Sequence, residues 1–133
     1  MPALMFFIYV LRRKVTGGIC QVELWIQDQK VMVKAYCDSG NLLRDPINGR
    51  PVSILQQEIL IELQAEKKLS GTHMIGYQTI HGSDGRLEVM TLDRMIIYHR
   101  GSVVEIKHPE VGLHKGEIMQ CPKVQLLLNA AYF

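Results

Sequence analysis

Two neighbouring runs of alternating hydrophobicity constrain this chain most. From Ile19 to Gln27, Val22, Leu24 and Ile26 fall on one face, and Gln21, Glu23 and Trp25 on the other. From Lys30 to Cys37 the pattern repeats, with Val31, Val33, Ala35 and Cys37 on one face. A period of two belongs to strands half-buried on a sheet, and Asp28-Gln29 between the runs suits a tight hairpin. Further short strands read at Val52 to Leu55, Met74 to Ile80, Arg86 to Thr91, Met95 to Tyr98 and Val103 to Ile106. One helical stretch is legible, Gln56 to Leu69. There Leu55, Ile59 and Leu63 recur every fourth residue with Leu60 at a neighbouring angle, Lys67-Lys68 suit the last turn, and Gly71 can end it. Such a stripe reads as core packing. His108 to Lys123 reads as loop, and Val124 to Ala130 as a last short helix or strand. Many short strands with one or two short helices predict a mainly β domain, a barrel or a sandwich.

A length of 133 residues suits one domain with a real core. The net charge of +2 and the scattered Lys and Arg give no basic stripe, so nucleic acid is not an expected partner. Cys20, Cys37 and Cys121 are odd in number and lack Cys-x-x-Cys spacing, which argues against a disulfide framework and a structural zinc site. Cys37 beside Asp38 reads as a strand thiol rather than a nucleophile. His73, His81, His99, His108 and His114 form no His-Glu-x-x-His, and His108 with His114 has no carboxylate or Cys at ligand spacing. No metal and no cofactor are expected from these local patterns.

Residues 1–14 stand apart. Met1 to Leu11 is nearly all apolar and stops at Arg12-Arg13-Lys14. A run this short cannot cross a membrane alone, since a span needs about 20 apolar residues. An apolar run ended by cations has the form of the inner end of a span, with the cations on the cytoplasmic side. The alternative is a first strand of the soluble domain. The expected division is therefore 1–14 as span end and basic flank, and 15–133 as the folded domain.

The second alternating run ends in Asp38-Ser39-Gly40. A strand ending in Asp-Ser/Thr-Gly is the local signature of half an aspartic protease site. The strand mounts a carboxylate, the hydroxyl residue can bond nearby backbone, and Gly permits a sharp turn. Two carboxylates are needed, one ionised to take a proton from water and one protonated to polarise the scissile carbonyl. The chain carries one such triplet, so the second Asp38 must come from a symmetry mate across a two-fold axis. The triplet alone arises by chance in roughly one chain in twenty of this length. Other chemistry fits less well. Ser39 lacks a Gly-x-Ser-x-Gly context, and no Gly-Lys-Ser/Thr follows Gly82 and Gly85.

The wider stretch from Val33 to Val52 is more specific. Asp38-Ser39-Gly40-Asn41-Leu42-Leu43, then Asp45-Pro46, then Gly49-Arg50-Pro51-Val52, closely resembles the active-site region of the sporulation sigma-E factor-processing peptidases. These are membrane-bound aspartic proteases of endospore-forming bacteria. Looser similarity runs in order through Ile75 to Ile80, Leu92-Asp93 and Leu126-Leu127-Leu128-Asn129. The resemblance implies a retroviral-type, pepsin-half-like acid protease β-barrel acting as a homodimer. It implies catalysis by Asp38, with Ser39 and Gly40 completing the motif. It also implies a sigma-factor precursor as substrate, missing N-terminal membrane spans, and a cytoplasmic-facing domain at the mother-cell membrane. Control by an activating signalling protein is a further implication. Gly82-Ser83-Asp84-Gly85, a glycine-rich hairpin tip after the motif, is the candidate flap. One departure stands out: Glu105 follows Val103-Val104, where an apolar-apolar-Gly inner strand is expected, and a charge there would crowd the region behind Asp38. The alternative function is thus a catalytically inactive protease-like β-domain that binds a protein partner.

Overall fold

The computed structural model describes residues 18–63, 72–78, 84–120 and 122–133. Residues 1–14, expected as a span end, lie outside the described residues. Among the described residues, no helix is long and apolar enough to cross a membrane.

The first alternating pair forms as expected. Strand β1 (Ile19–Ile26) and strand β2 (Gln29–Cys37) pair antiparallel from Ile19 opposite Tyr36 to Ile26 opposite Gln29. The turn itself is Gln27-Asp28, one residue earlier than the sequence pattern places it. Val22, Leu24 and Ile26 are buried, as are Val33, Ala35 and Cys37. The following elements are β3 (Val52–Gln56), a one-turn helix α1 (Ile59–Glu62), β4 (His73–Gln78) and β5 (Asp84–Thr91). Then come β6 (Arg94–His99), β7 (Ser102–Lys107), β8 (Glu110–His114), β9 (Met119–Gln120), β10 (Lys123–Val124) and β11 (Leu126–Leu128). A 3-10 turn covers Ala130–Tyr132.

Two expectations are corrected here. Gln56 ends β3 rather than opening a helix, and the described part of the expected helix is α1, with Ile59, Leu60 and Leu63 buried. The loop expected at His108 to Lys123 contains β8, whose Val111, Gly112 and Leu113 are all buried. Pro109 and Gly112 gave that stretch a loop-like composition. Gly112 is a spacing requirement instead: a Cβ there would lie 2.2 Å from Leu87 Cδ2 and 2.7 Å from its Cγ. Gly112→Ala is expected to lower stability by about 1–3 kcal/mol through this overpacking, read as a lower urea midpoint at unchanged slope.

Nine strands form one sheet in the order β4-β5-β8-β3-β11-β2-β1-β6-β7. Its connections show that it is rolled. β5 and β6 lie six strand positions apart, roughly 29 Å on a flat sheet at about 4.8 Å per strand. Only Leu92 and Asp93 join them, a reach of about 11 Å at most. β7 and β8, also six positions apart, are joined only by His108 and Pro109. These two links bond each other, Leu92 N to Pro109 O at 2.9 Å and His108 N to Asp93 O at 3.0 Å. The sheet therefore curls until these two links lie side by side.

The central strands are apolar on both faces. Leu126 and Leu128 pack into one buried cluster with Leu24, Ala35, Cys37, Leu55 and Met95. Leu127 faces the other way, into a cluster with Tyr36, Val52, Ile54, Leu87 and Val89. Strands covered on both sides read as continuous apolar runs, which is why Leu126 to Leu128 shows no alternation.

Candidate active site

Asp38 follows β2 directly, at the point where β11 ends beside it. β11 lies between β2 and β3, parallel to the first and antiparallel to the second. β2 and β3 are thus both bonded to a strand that comes much later in the chain. Asp38 N donates to Leu128 O at 3.3 Å, which fixes the start of the Asp38 loop on the end of β11.

The triplet behaves as its residue types require. The Asp38 side chain is 2% exposed, and its Oδ1 accepts the Gly40 amide at 2.9 Å. That bond is an Asx turn, and it orients the carboxylate through its own loop. Asn41 N donates to Asp38 O at 3.0 Å and closes the turn. Ser39 is exposed and Gly40 half-buried. Leu42, two residues beyond Gly40, is 73% exposed, an apolar side chain displayed at the mouth of the site.

Beneath this loop lies a buried polar core that sequence reasoning did not single out. Asn41 is fully buried, and its Nδ2 donates to Val52 O at 3.2 Å and Leu127 O at 3.3 Å. Its Oδ1 accepts the Leu43 amide at 3.2 Å. Asn129, 2% exposed, donates from Nδ2 to Leu43 O at 2.7 Å and Val52 O at 3.1 Å, and accepts the Ala131 amide at Oδ1. Its backbone amide donates to Ser53 Oγ at 3.0 Å. Two amides and a hydroxyl so tie the loop after Asp38 to β3 and to the end of β11. Buried polar groups satisfied this fully define one loop conformation. The sequence signal was present: Asn41 and Asn129 each adjoin a leucine run.

Cys37 is 1% exposed, and its Sγ lies 3.5 Å from that of Cys20. The bond between the two thiols, with burial, pushes the Cys20 thiol up. Both are core thiols rather than accessible nucleophiles.

Glu105 is corrected. It lies on β7, an edge strand of the sheet, preceded by Val103 and Val104 at 64% and 41% exposure. Its carboxylate pairs with Arg94 at 3.2 Å, and that guanidinium lies over the Trp25 ring. The strand beside Asp38 is β11, with Leu126-Leu127-Leu128-Asn129 in the place that Val103-Val104-Glu105 was expected to hold. Glu105 therefore puts no charge behind the carboxylate.

Of the candidate flap, Gly82 and Ser83 lie outside the described residues. Asp84 and Gly85 open β5, opposite Gln78 and Tyr77 of β4, so the hairpin itself is present. A Cβ on Gly85 would lie 2.4 Å from the Tyr77 ring, so this glycine makes room for the aromatic side chain that crosses it.

A second cluster joins three distant residues. Asp45 is fully buried, Glu110 heads β8 at 2% exposure, and His73 opens β4. His73 Nε2 meets Asp45 Oδ2 at 2.5 Å. Burial pushes the Glu110 carboxyl above its usual range, opposed by the Asn48 amide and reinforced by Asp45. Burial acts alike on Asp45, but the Ile47 amide, Glu110 and His73 together hold it below the usual range. Local spacing gave no hint of this set. Asp45 enters the sequence pattern only beside Pro46, His73 belongs to no ligand motif, and Glu110 falls in the stretch expected as loop.

Comparison with known proteins agrees with the motif. No solved structure matches this chain. The chain is 23% identical over 122 residues to a protein of Clostridium acetobutylicum named as a probable sporulation sigma-E factor-processing peptidase. That alignment covers 91% of the chain and 45% of the relative, so the chain spans about half the length of the curated relative it matches. The profile of the peptidase family described as sporulation factor SpoIIGA matches residues 3–132, nearly the whole chain. With its Asp-Ser-Gly strand end and the leucine strand that braces it, the chain belongs to the SpoIIGA family of sporulation peptidases.

Proposed function

We propose that this chain is the protease domain of a sigma-factor-processing aspartic endopeptidase, active as a homodimer. The observation that carries the reading is the mounting of Asp38. Its carboxylate is held by the Gly40 amide, on a loop braced by β11 between β2 and β3. A retroviral-type protease half-barrel accounts for this arrangement and for the rolled sheet. Asp38 from each protomer would form the dyad. The ionised carboxylate takes a proton from water as the water oxygen attacks the scissile carbonyl carbon. The protonated carboxyl gives its proton to the carbonyl oxygen. As the gem-diol intermediate collapses, one of its hydroxyls returns a proton to the now ionised carboxylate. The other carboxyl protonates the departing amine nitrogen as the C–N bond breaks, which restores the singly protonated dyad. The exposed Leu42 suits either the dimer seam or an apolar substrate side chain, since both meet at such a mouth.

The substrate in this reading is a sigma-factor precursor, as the relative's name suggests. The domain would work on the cytoplasmic side of a membrane, supported by the apolar-then-cationic order of residues 1–14. Control by a signalling partner belongs to the same proposal. Glu105 is one of the supports of the inactive-module alternative, and its place on the edge strand removes that one.

A statine-type transition-state mimic tests the reading. It is expected to bind at least about a hundred-fold more tightly than a matching substrate peptide, because only a paired dyad holds the tetrahedral hydroxyl. In sedimentation, the mimic should shift the protein toward dimer. A protein that stays monomeric at all concentrations and ignores the mimic excludes single-Asp catalysis.

A further inference from the structure

We infer that Asp45, His73 and Glu110 form a binding site for one divalent transition-metal ion, with zinc the ion that suits their donors. The three come from separate elements: the turn beyond the Asp38 loop, the first residue of β4 and the first residue of β8. One ligand atom from each lies within 4.8 Å of the other two.

The arrangement of the carboxylate oxygens points to a cation. Each carboxylate has one oxygen held from outside the cluster. Asp45 Oδ1 accepts the Ile47 amide at 2.8 Å, and Glu110 Oε1 accepts Asn48 Nδ2 at 2.5 Å. That leaves one oxygen of each for the interior. Asp45 Oδ2 faces His73 Nε2, and Glu110 Oε2 is buried with no hydrogen-bond partner. Ligating carboxylates are typically braced in this way, one oxygen on a donor and the other on the metal. A buried carboxylate oxygen without a donor is costly, and two facing carboxylates repel. Among the described residues, no Lys or Arg pairs with either of them.

One divalent ion resolves all of this. It neutralises two carboxylates, binds a neutral imidazole, and gives Glu110 Oε2 its missing partner. An imidazole with two carboxylates suits zinc better than calcium or magnesium, which prefer oxygen alone. The His73 side chain is 35% exposed, so the ion has an entry path and room for a water as fourth ligand. Bound there, the ion would clamp the base of the β4–β5 hairpin to the segment that follows Asp38.

The test uses the intact protein stripped with a chelator, and it does not depend on cleavage of any substrate. Calorimetric titration with zinc is expected to show one ion per chain and a raised Tm. Cobalt substituted for zinc should give the visible spectrum of nitrogen and oxygen ligands without a thiolate charge-transfer band. Glu110→Gln, close to isosteric, should weaken zinc binding at least about a hundred-fold, and Asn48→Ala about ten- to a hundred-fold. Should Glu110→Gln fail to fold, His73→Ala removes a ligand from a partly exposed position and must show the same loss. No zinc binding by the wild-type chain overturns the inference. So does undiminished binding by the ligand variants, or a thiolate band that moves the ion to cysteine.

Discussion

Asp38→Asn is expected to abolish cleavage of a sigma-factor precursor, by at least about a thousand-fold, while leaving the fold intact. The two halves of this expectation have different causes. Asn keeps a carbonyl oxygen to accept the Gly40 amide, and the loop is braced from below by Asn41 and Asn129. Stability should therefore change by no more than about 1 kcal/mol. Chemistry is lost because an amide can neither take a proton from water nor pass one to the carbonyl oxygen, and each such role contributes about 10²–10⁴-fold. A homodimer adds a sharper test. When variant and wild-type chains are mixed and exchange freely, a dimer with one carboxylate is as inactive as one with none. Activity should then fall as the square of the wild-type fraction. A linear fall means each chain works alone, and undiminished cleavage by the pure variant removes Asp38 from the chemistry.

Asn129→Ala should have the largest effect on stability. The truncation removes the donors to Leu43 O and Val52 O and the acceptor for the Ala131 amide, all beneath the loop of Asp38. Val52 O keeps a bond from Asn41, and Leu43 O one from the Val52 amide, so the loss is partial. A cost of about 2–4 kcal/mol follows, read from the urea midpoint. Asn129→Asp distinguishes a polar network from simple volume. It restores the acceptor for Ala131 but turns a carboxylate oxygen toward two carbonyls, so it should be no more stable than the alanine variant. Loosening the loop should also slow cleavage about a hundred-fold in whichever variant stays folded, because a misplacement of about 1 Å is that costly. A midpoint like the wild type's in both variants means the network is ornamental.

The sequence showed best what repeats locally. The β1–β2 pair, the β4–β5 hairpin and the Asp38 turn were legible because period-two alternation and Asp-Ser-Gly chemistry act over a few residues. β8 was hidden because a strand covered on both faces does not alternate, and Pro109 and Gly112 imitate a loop. β11 reads equally as helix or strand for the same reason, since Leu126 to Leu128 offers no period. Glu105 reads as an inner-strand residue because two valines before a polar residue look alike on an edge strand and an inner one. The asparagine brace and the Asp45, His73 and Glu110 cluster depend on chain crossings that no local spacing encodes. The residues were visible, but their neighbours were not.

The brace beneath Asp38 also has a consequence for timing. Asn129 meets Asn41 at a separation of 88 positions, and the strand that seats the Asp38 loop precedes it immediately. A chain leaving the ribosome would expose Asp38 long before that strand exists. The hairpins can close early, since their contacts are local, but the site must wait for the most distant pairing in the sheet. In the proposed protease, this order withholds the seat of Asp38 until β11 has formed.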